Sequence, residues 1–272
     1  MRRALLALFV LGLAALAPAA ARAADAAGEP TAEQLAAAAF EQRFGGNVVE
    51  VWRTDWDGLQ LTLGIARRWE SGKPDVLLRV LDPYKYKTLG FLMKERKNDQ
   101  PSVTYYRSKE MFPPSRKTGR NLDVVVASWI ERLPFVQGLP ALADLWPQPV
   151  SDFTHRRLLD EVIGDVKCHV LESVPKHRDG AYDRIVTVLA PDSNVALEKR
   201  WLRGEKVVRV DRVAAKDIDT SQGRPYARRH EIEQAGGGPP QIIDVANYSL
   251  DPVMPDQIFT TANLRIGRFP TY

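Results

Sequence analysis

Four histidines and one cysteine could ligate a metal or move a proton near neutral pH: His155, His169, His177, His230 and Cys168. Their spacing builds no site. No two histidines fall at H-x-x-x-H or H-E-x-x-H, the spacings that bring two imidazoles to one helix face. Cys168 and His169 are neighbours in the apparent strand KCHVLESV. Their side chains then point to opposite faces, poor geometry for one metal. A single cysteine has no partner for an intrachain disulfide, and in that strand it reads as a small buried hydrophobe. The chain has no G-x-S-x-G elbow, no P-loop and no G-x-G-x-x-G. Gly236–Gly238 precedes Pro239-Pro240 between two strands and reads as a hairpin connection. Carboxylates are scattered over strand faces and turns, so spacing assigns no acid–base pair among them. The reading is of a protein with no catalytic residue, no metal and no cofactor.

What the residues do offer is apolar surface, and its placement depends on the elements. Residues 1–23 read as an export signal: Arg2 and Arg3, the apolar run ALLALFVLGLAALA, and Ala-Arg-Ala, with cleavage expected after Ala23. The run is too short to span a bilayer comfortably. The expected destination is the periplasm, and no cysteine follows the cleavage point to carry a lipid. The full chain has a net charge of +4. Without Arg2, Arg3 and Arg22, 35 basic residues face 34 acidic ones, so a nucleic-acid footprint is not supported. Residues 24–30 read as a flexible leader and 31–272 as a single domain.

Thr31 and Gln34 have capping-box spacing, alanines follow, and Gly45-Gly46 stop the pattern, which predicts a helix over 32–44. The period then changes to two. Strands are predicted at 47–56, 59–69, 75–83, 88–95 and 102–108, and again at 155–164, 167–175, 182–192, 195–204, 206–219, 226–234 and 240–250. Short turn-like connections make the order antiparallel. A dozen strands is more than a flat sheet tolerates, so the expected fold is mainly β: a strongly curved antiparallel sheet forming an incomplete barrel closed by helices. One face is expected to be wet. The other is expected to be covered by two helical segments, 32–44 and an apolar insert at 121–146.

In that insert Leu122, Val125, Val126, Trp129 and Leu133 fall at helical spacing, and Leu139, Leu142, Leu145 and Trp146 form a second set. Pro134, Gly138, Pro140 and Pro147 break it into short pieces, so the segment reads as a movable lid. Before it, PPSRKTGR (113–120) is a basic loop, solvated or in contact with an anionic head group. Leu61, Leu63, Val80, Phe91, Met93 and Val188 are predicted to line the concave face. Trp52, Trp129 and Trp146 are the further candidates for contact with a ligand.

The C-terminal half resembles a known family. SDFTHRRLLDEVIGDVKCHVLESVPKHRDGAYDRIVTVLAPDSNVALEKRWL, then DIDTSQGRPYARRHEIE and DVANYSLDPVMPDQIFTTANL, together with LDPYKYKTLGFL at 81–92, are similar to the periplasmic outer-membrane lipoprotein-sorting (LolA-like) carriers. The resemblance runs over most of 47–264 and departs from the family at 109–150, where a longer apolar insert ends in QPVSDF. It implies a LolA/LolB-like half-barrel that carries a lipid or acylated ligand across the cell envelope. It also implies an inner-membrane RND-type transporter as partner. The expectation is a monomeric lipid-transport protein. The alternatives are a non-catalytic scaffold component of an envelope complex and a periplasmic hydrolase.

Overall fold

The computed structural model describes residues 28–56, 58–83, 86, 89–95, 101–106, 122–125, 142–176 and 182–270. The expected export signal, most of the leader, the basic loop 113–120 and residues 126–141 of the insert lie outside the described residues.

Helix α1 (Ala32–Phe44) begins as its sequence dictates. The Thr31 hydroxyl accepts from the Gln34 amide at 3.2 Å, and the Gln34 side chain accepts from the Thr31 amide at 2.8 Å. These two bonds satisfy donors that a helix start otherwise leaves open. Six strands follow: β1 (Val48–Trp56), β2 (Leu59–Glu70), β3 (Lys73–Asp82), β4 (Gly90–Glu95), β5 (Pro101–Tyr106) and β6 (Leu122–Val125). Ser71 and Gly72, with φ of 51° and 77°, form the two-residue turn between β2 and β3. Positive φ at both positions gives the turn the twist that flanking strands require.

The short helix α2 (Leu142–Leu145) leads to β7 (Phe153–Arg157), β8 (Glu161–Ile163), β9 (Val166–Pro175), β10 (Arg184–Leu189), β11 (Ala196–Arg203) and β12 (Lys206–Arg212). A two-stranded excursion, β13 (Ile218–Asp219) with β14 (Tyr226–Ala227), precedes β15 (Arg229–Gln234) and β16 (Gln241–Leu250). Helix α3 (Thr261–Ile266) comes last.

Fourteen strands form one antiparallel sheet in the order β6-β5-β4-β3-β2-β1-β16-β15-β12-β11-β10-β9-β7, with β8 beside β9. Strand β16 welds the two halves, because it pairs with β1 on one side and β15 on the other. Strands β6 and β7 end the order without meeting, so the sheet is not closed into a barrel. It is nevertheless rolled. Laid flat, the seven steps from β7 to β1 would span about 34 Å at ~4.8 Å each. Side chains from both strands wall a single cavity.

Two expectations are corrected. Leu122–Val125 is strand β6, paired with β5, and not the start of a helix. Leu-Asp-Val-Val satisfies either period over four residues, and pairing with a free sheet edge decides for the β-branched pair. The outer face is also not simply wet. Over β1–β4 it carries Val49, Ala66, Leu77 and Leu92, covered by Ile258, Phe259 and Leu264 from the C-terminal segment. Helix α3 is therefore a third cover, on the convex side. Its Thr260 cap accepts from the Asn263 amide at 3.2 Å, and Gly267 ends it at φ 83°. Among the described residues, no helix is long and apolar enough to cross a membrane.

Candidate functional site

The inner face has two regions of different chemistry. Over β2–β5 it is filled. Leu61, Leu63, Val80, Phe91 and Met93 are all buried there in one apolar cluster with Ile65, Val76 and Leu78. The registers explain this: Leu63 opposes Val80, Ile65 opposes Leu78, and Leu78 opposes Phe91, so the same-face residues stack across the strands.

Where the sheet continues through β16 to β7, the inner side chains leave a hollow of about 240 Å³. Helix α1 roofs it with Ala36, Ala39, Phe40 and Arg43, and the α2 segment adds Asp144, Leu145 and Trp146. Trp52 stands at the boundary, belonging both to the apolar cluster and to the cavity wall, as do Ile232 and Ile243. Of the sequence candidates, then, Trp52 and Trp146 wall the cavity. Leu61, Leu63, Val80, Phe91 and Met93 pack the floor beside it. Val188 is placed on the other face, fully buried with Cys168, Val170 and Leu197. Its strand is apolar on both sides, so composition does not mark which residues face inward; Ile185, Thr187 and Leu189 do. Trp129 lies outside the described residues.

The cavity wall formed by β11, β12 and β15 is charged. Strand β11 contributes Lys199 and Trp201, β12 contributes Arg209 and Asp211, and β15 contributes His230. Alternation along β11 would put Leu197 on the same face as Lys199. The pairing of β10 with β11 slips between Val188 and Leu189, opposite Glu198 and Ala196. That bulge sends Leu197 to the convex cluster and turns Ala196 to the cavity.

Every carboxylate in the cavity wall has a partner. Glu50 accepts from Arg43 Nη1 at 2.6 Å and from Trp52 Nε1 at 2.7 Å. Asp144 pairs with Arg209 at 2.7 Å, and Asp211 lies 3.1 Å from His230 Nδ1. Burial pushes the Glu50 carboxyl up, but Arg43 and Arg67 outweigh it and hold the group below the usual carboxylate range. Arg67 itself is buried, stacked 5.0 Å from the Phe44 ring, and donates to the Arg43 carbonyl at 2.8 Å. Desolvation drives its guanidinium down to about 9.

His155 approaches Ser173 Oγ at 2.9 Å and the Val150 carbonyl at 3.0 Å. A carbonyl only accepts, so Nε2 donates a proton there. Cys168 is buried, with its thiol pushed up by desolvation. Among the described residues, no three metal-ligating side chains group together.

A rolled, unclosed antiparallel sheet with a helix laid over a hollow on its inner face is the architecture of the LolA-type half-barrels. Three solved structures share it. A domain described as that of an outer membrane lipoprotein-sorting protein from Vibrio parahaemolyticus aligns over 86% of this chain and 98% of its own, with a TM-score of 0.70 at 14% identity. A DUF1329 family protein from Desulfovibrio piger aligns over 87% and 100%, with a TM-score of 0.70 at 15% identity. A LolA superfamily protein from Nitrosomonas europaea aligns over 86% and 99%, with a TM-score of 0.64 at 19% identity. The fold is therefore LolA-like. A family model described as "Uncharacterized protein" matches residues 126–266, more than half of the chain, and the chain belongs to that family. No curated protein sequence matches it.

Proposed function

We propose that this protein is a periplasmic carrier that holds a lipid or acyl chain in the cavity beneath α1 and moves it across the envelope. The observation that carries the reading is the hollow itself. Protein interiors normally close such spaces, because the lining groups forfeit contacts on one side. Here Phe40, Trp52, Leu145, Trp146 and Ile243 hold one open beside a packed apolar floor. Each methylene transferred from water contributes about 0.8 kcal/mol. Six would supply roughly 5 kcal/mol before ordering costs. The export signal supports the periplasmic setting. The non-catalytic reading is supported by the engagement of Glu50, Asp144 and Asp211 with cations or His230. An inner-membrane RND-type partner and a monomeric state rest on the sequence resemblance.

Ala39 tests the reading, because it lines the roof and has only a methyl group to lose. The neutral apolar dye N-phenyl-1-naphthylamine should bind the wild type saturably, one per chain. Ala39→Trp, which fills the hollow, should weaken binding by at least about tenfold, a 1.4 kcal/mol effect. Its melting temperature should stay near that of the wild type. Equal dye binding by both proteins would place the dye elsewhere. Absence of binding to the wild type would favour a scaffold with no cargo.

A further inference from the structure

Three N–H donors gather at one ring in the cavity wall, and no acceptor among the described residues serves them. Lys199 Nζ sits 5.1 Å from the Trp201 ring, and the Arg209 guanidinium carbon lies 3.4 Å from the same ring. Trp201 Nε1 and Arg209 Nε are buried without a hydrogen-bond partner. Lys199 makes no hydrogen bond or ion pair with any described residue, although it lines the cavity. The nearby carboxylates are committed: Asp144 to Arg209, Asp211 to His230, Glu50 to Arg43. The registers keep the donors together, with Lys199 opposite Thr187 and Asp211, and Trp201 opposite Ile185 and Arg209. A buried donor without an acceptor is destabilising, so Trp201 Nε1 and Arg209 Nε side by side are unfavourable unless something fills the space. Burial also pushes the Lys199 ammonium down, and Asp144 and Asp211 only partly offset it.

We infer that the cargo is an anionic amphiphile, its carboxylate or phosphate head received by Lys199 and Arg209 beside Trp201 and its tail laid along Trp52, Ile243 and Val245. The assignment rests on the carrier reading above and names its ligand class. An acidic head supplies the acceptors this wall lacks and the charge Lys199 lacks, and charge-assisted hydrogen bonds are the stronger kind. The apolar residues of β1 and β16 that line the same cavity take the chain.

The test is displacement of N-phenyl-1-naphthylamine by hexadecanoate and by hexadecanol, which differ only in the head, with acetate and inorganic phosphate as free anions. Hexadecanoate should bind the wild type at least about tenfold more tightly than hexadecanol. Lys199→Met should abolish that difference and leave hexadecanol binding unchanged, while Lys199→Arg keeps it. Lys199→Gln gives the same reading if the methionine variant fails to fold. Equal binding of acid and alcohol by the wild type, or a preference that survives loss of Lys199, would overturn the inference and leave the carrier reading standing. Displacement by acetate or phosphate as effective as by hexadecanoate would overturn it in favour of a free-anion site. If neither long chain displaces the dye, the carrier reading fails and this inference with it.

Discussion

Glu50→Gln should lower the stability of the folded protein by about 3–5 kcal/mol, the cost of stripping the partner from a buried charge. Glu50 is 2% exposed and sits on the inner face between the cationic side chains of Arg43 and Arg67. The amide removes the carboxylate that Arg43 and Arg67 share and adds donors where Arg43 and Trp52 already donate. Arg67, with Nε already unpartnered, would be left without its nearest counter-charge. In urea unfolding the loss should be largest near neutral pH. The folded protein holds this carboxyl below its unfolded value, so its contribution is present above the ordinary carboxylate range. It is lost as pH falls through the depressed value, and there the variant and the wild type should converge. A change below about 1 kcal/mol at pH 7 would show that the charges are solvated in practice.

Phe259→Ala should cost a similar amount, about 3–5 kcal/mol, by a different route. The ring is 1% exposed and packs against Val49, Ala66, Leu77 and Leu92 on the convex face. It also lies 4.6 Å from the Arg68 guanidinium, which pairs with Asp75 at 3.0 Å and Asp256 at 2.5 Å. The polypeptide around it is pinned: the Asn263 side chain donates to the carbonyls of Ile258 and Arg268, and Arg79 donates to the Asn263 carbonyl at 2.9 Å. Such a site cannot collapse to fill the void, which is the condition for a large cavity cost. Because the cavity is on the opposite face, dye binding by the folded fraction should be unchanged. A cost under about 1 kcal/mol would mean that the segment is not part of the cooperative fold.

The sheet was legible because each hairpin carries its own signal. Alternation in Leu59–Ile65 and the Asp57-Gly58, Gly164-Asp165 and Gly204-Glu205 turns set the strands and their antiparallel sense without tertiary information, whereas the pairing of β16 with β1 carries no such signal. The capping box placed α1 to the residue. The C-terminal cover was not legible. Six residues, Thr261–Ile266, are too few to show a helical period, and their helicity depends on the sheet beneath them. The apolar floor could be read from alternation, but Val188 could not be assigned a face in a strand buried on both sides. The charged wall was hidden for two reasons. Polar residues in alternating strands read by default as facing water. The bulge at Leu197 also shifts the phase of β11, so counting by twos from the apolar residues gives the wrong face for Lys199.

If an acyl chain occupies the hollow, as proposed, a brominated chain will quench tryptophan by contact. Trp52, Trp146 and Trp201 all line the cavity. A long-chain alcohol dibrominated at mid-chain quenches indoles it touches, while the unbrominated alcohol does not. Titration should quench wild-type fluorescence saturably at one chain per protein, with recovery on adding the unbrominated alcohol and little quenching in Ala39→Trp. Quenching that is absent, or that rises linearly without saturation and is the same in Ala39→Trp, would mean that no chain enters the hollow.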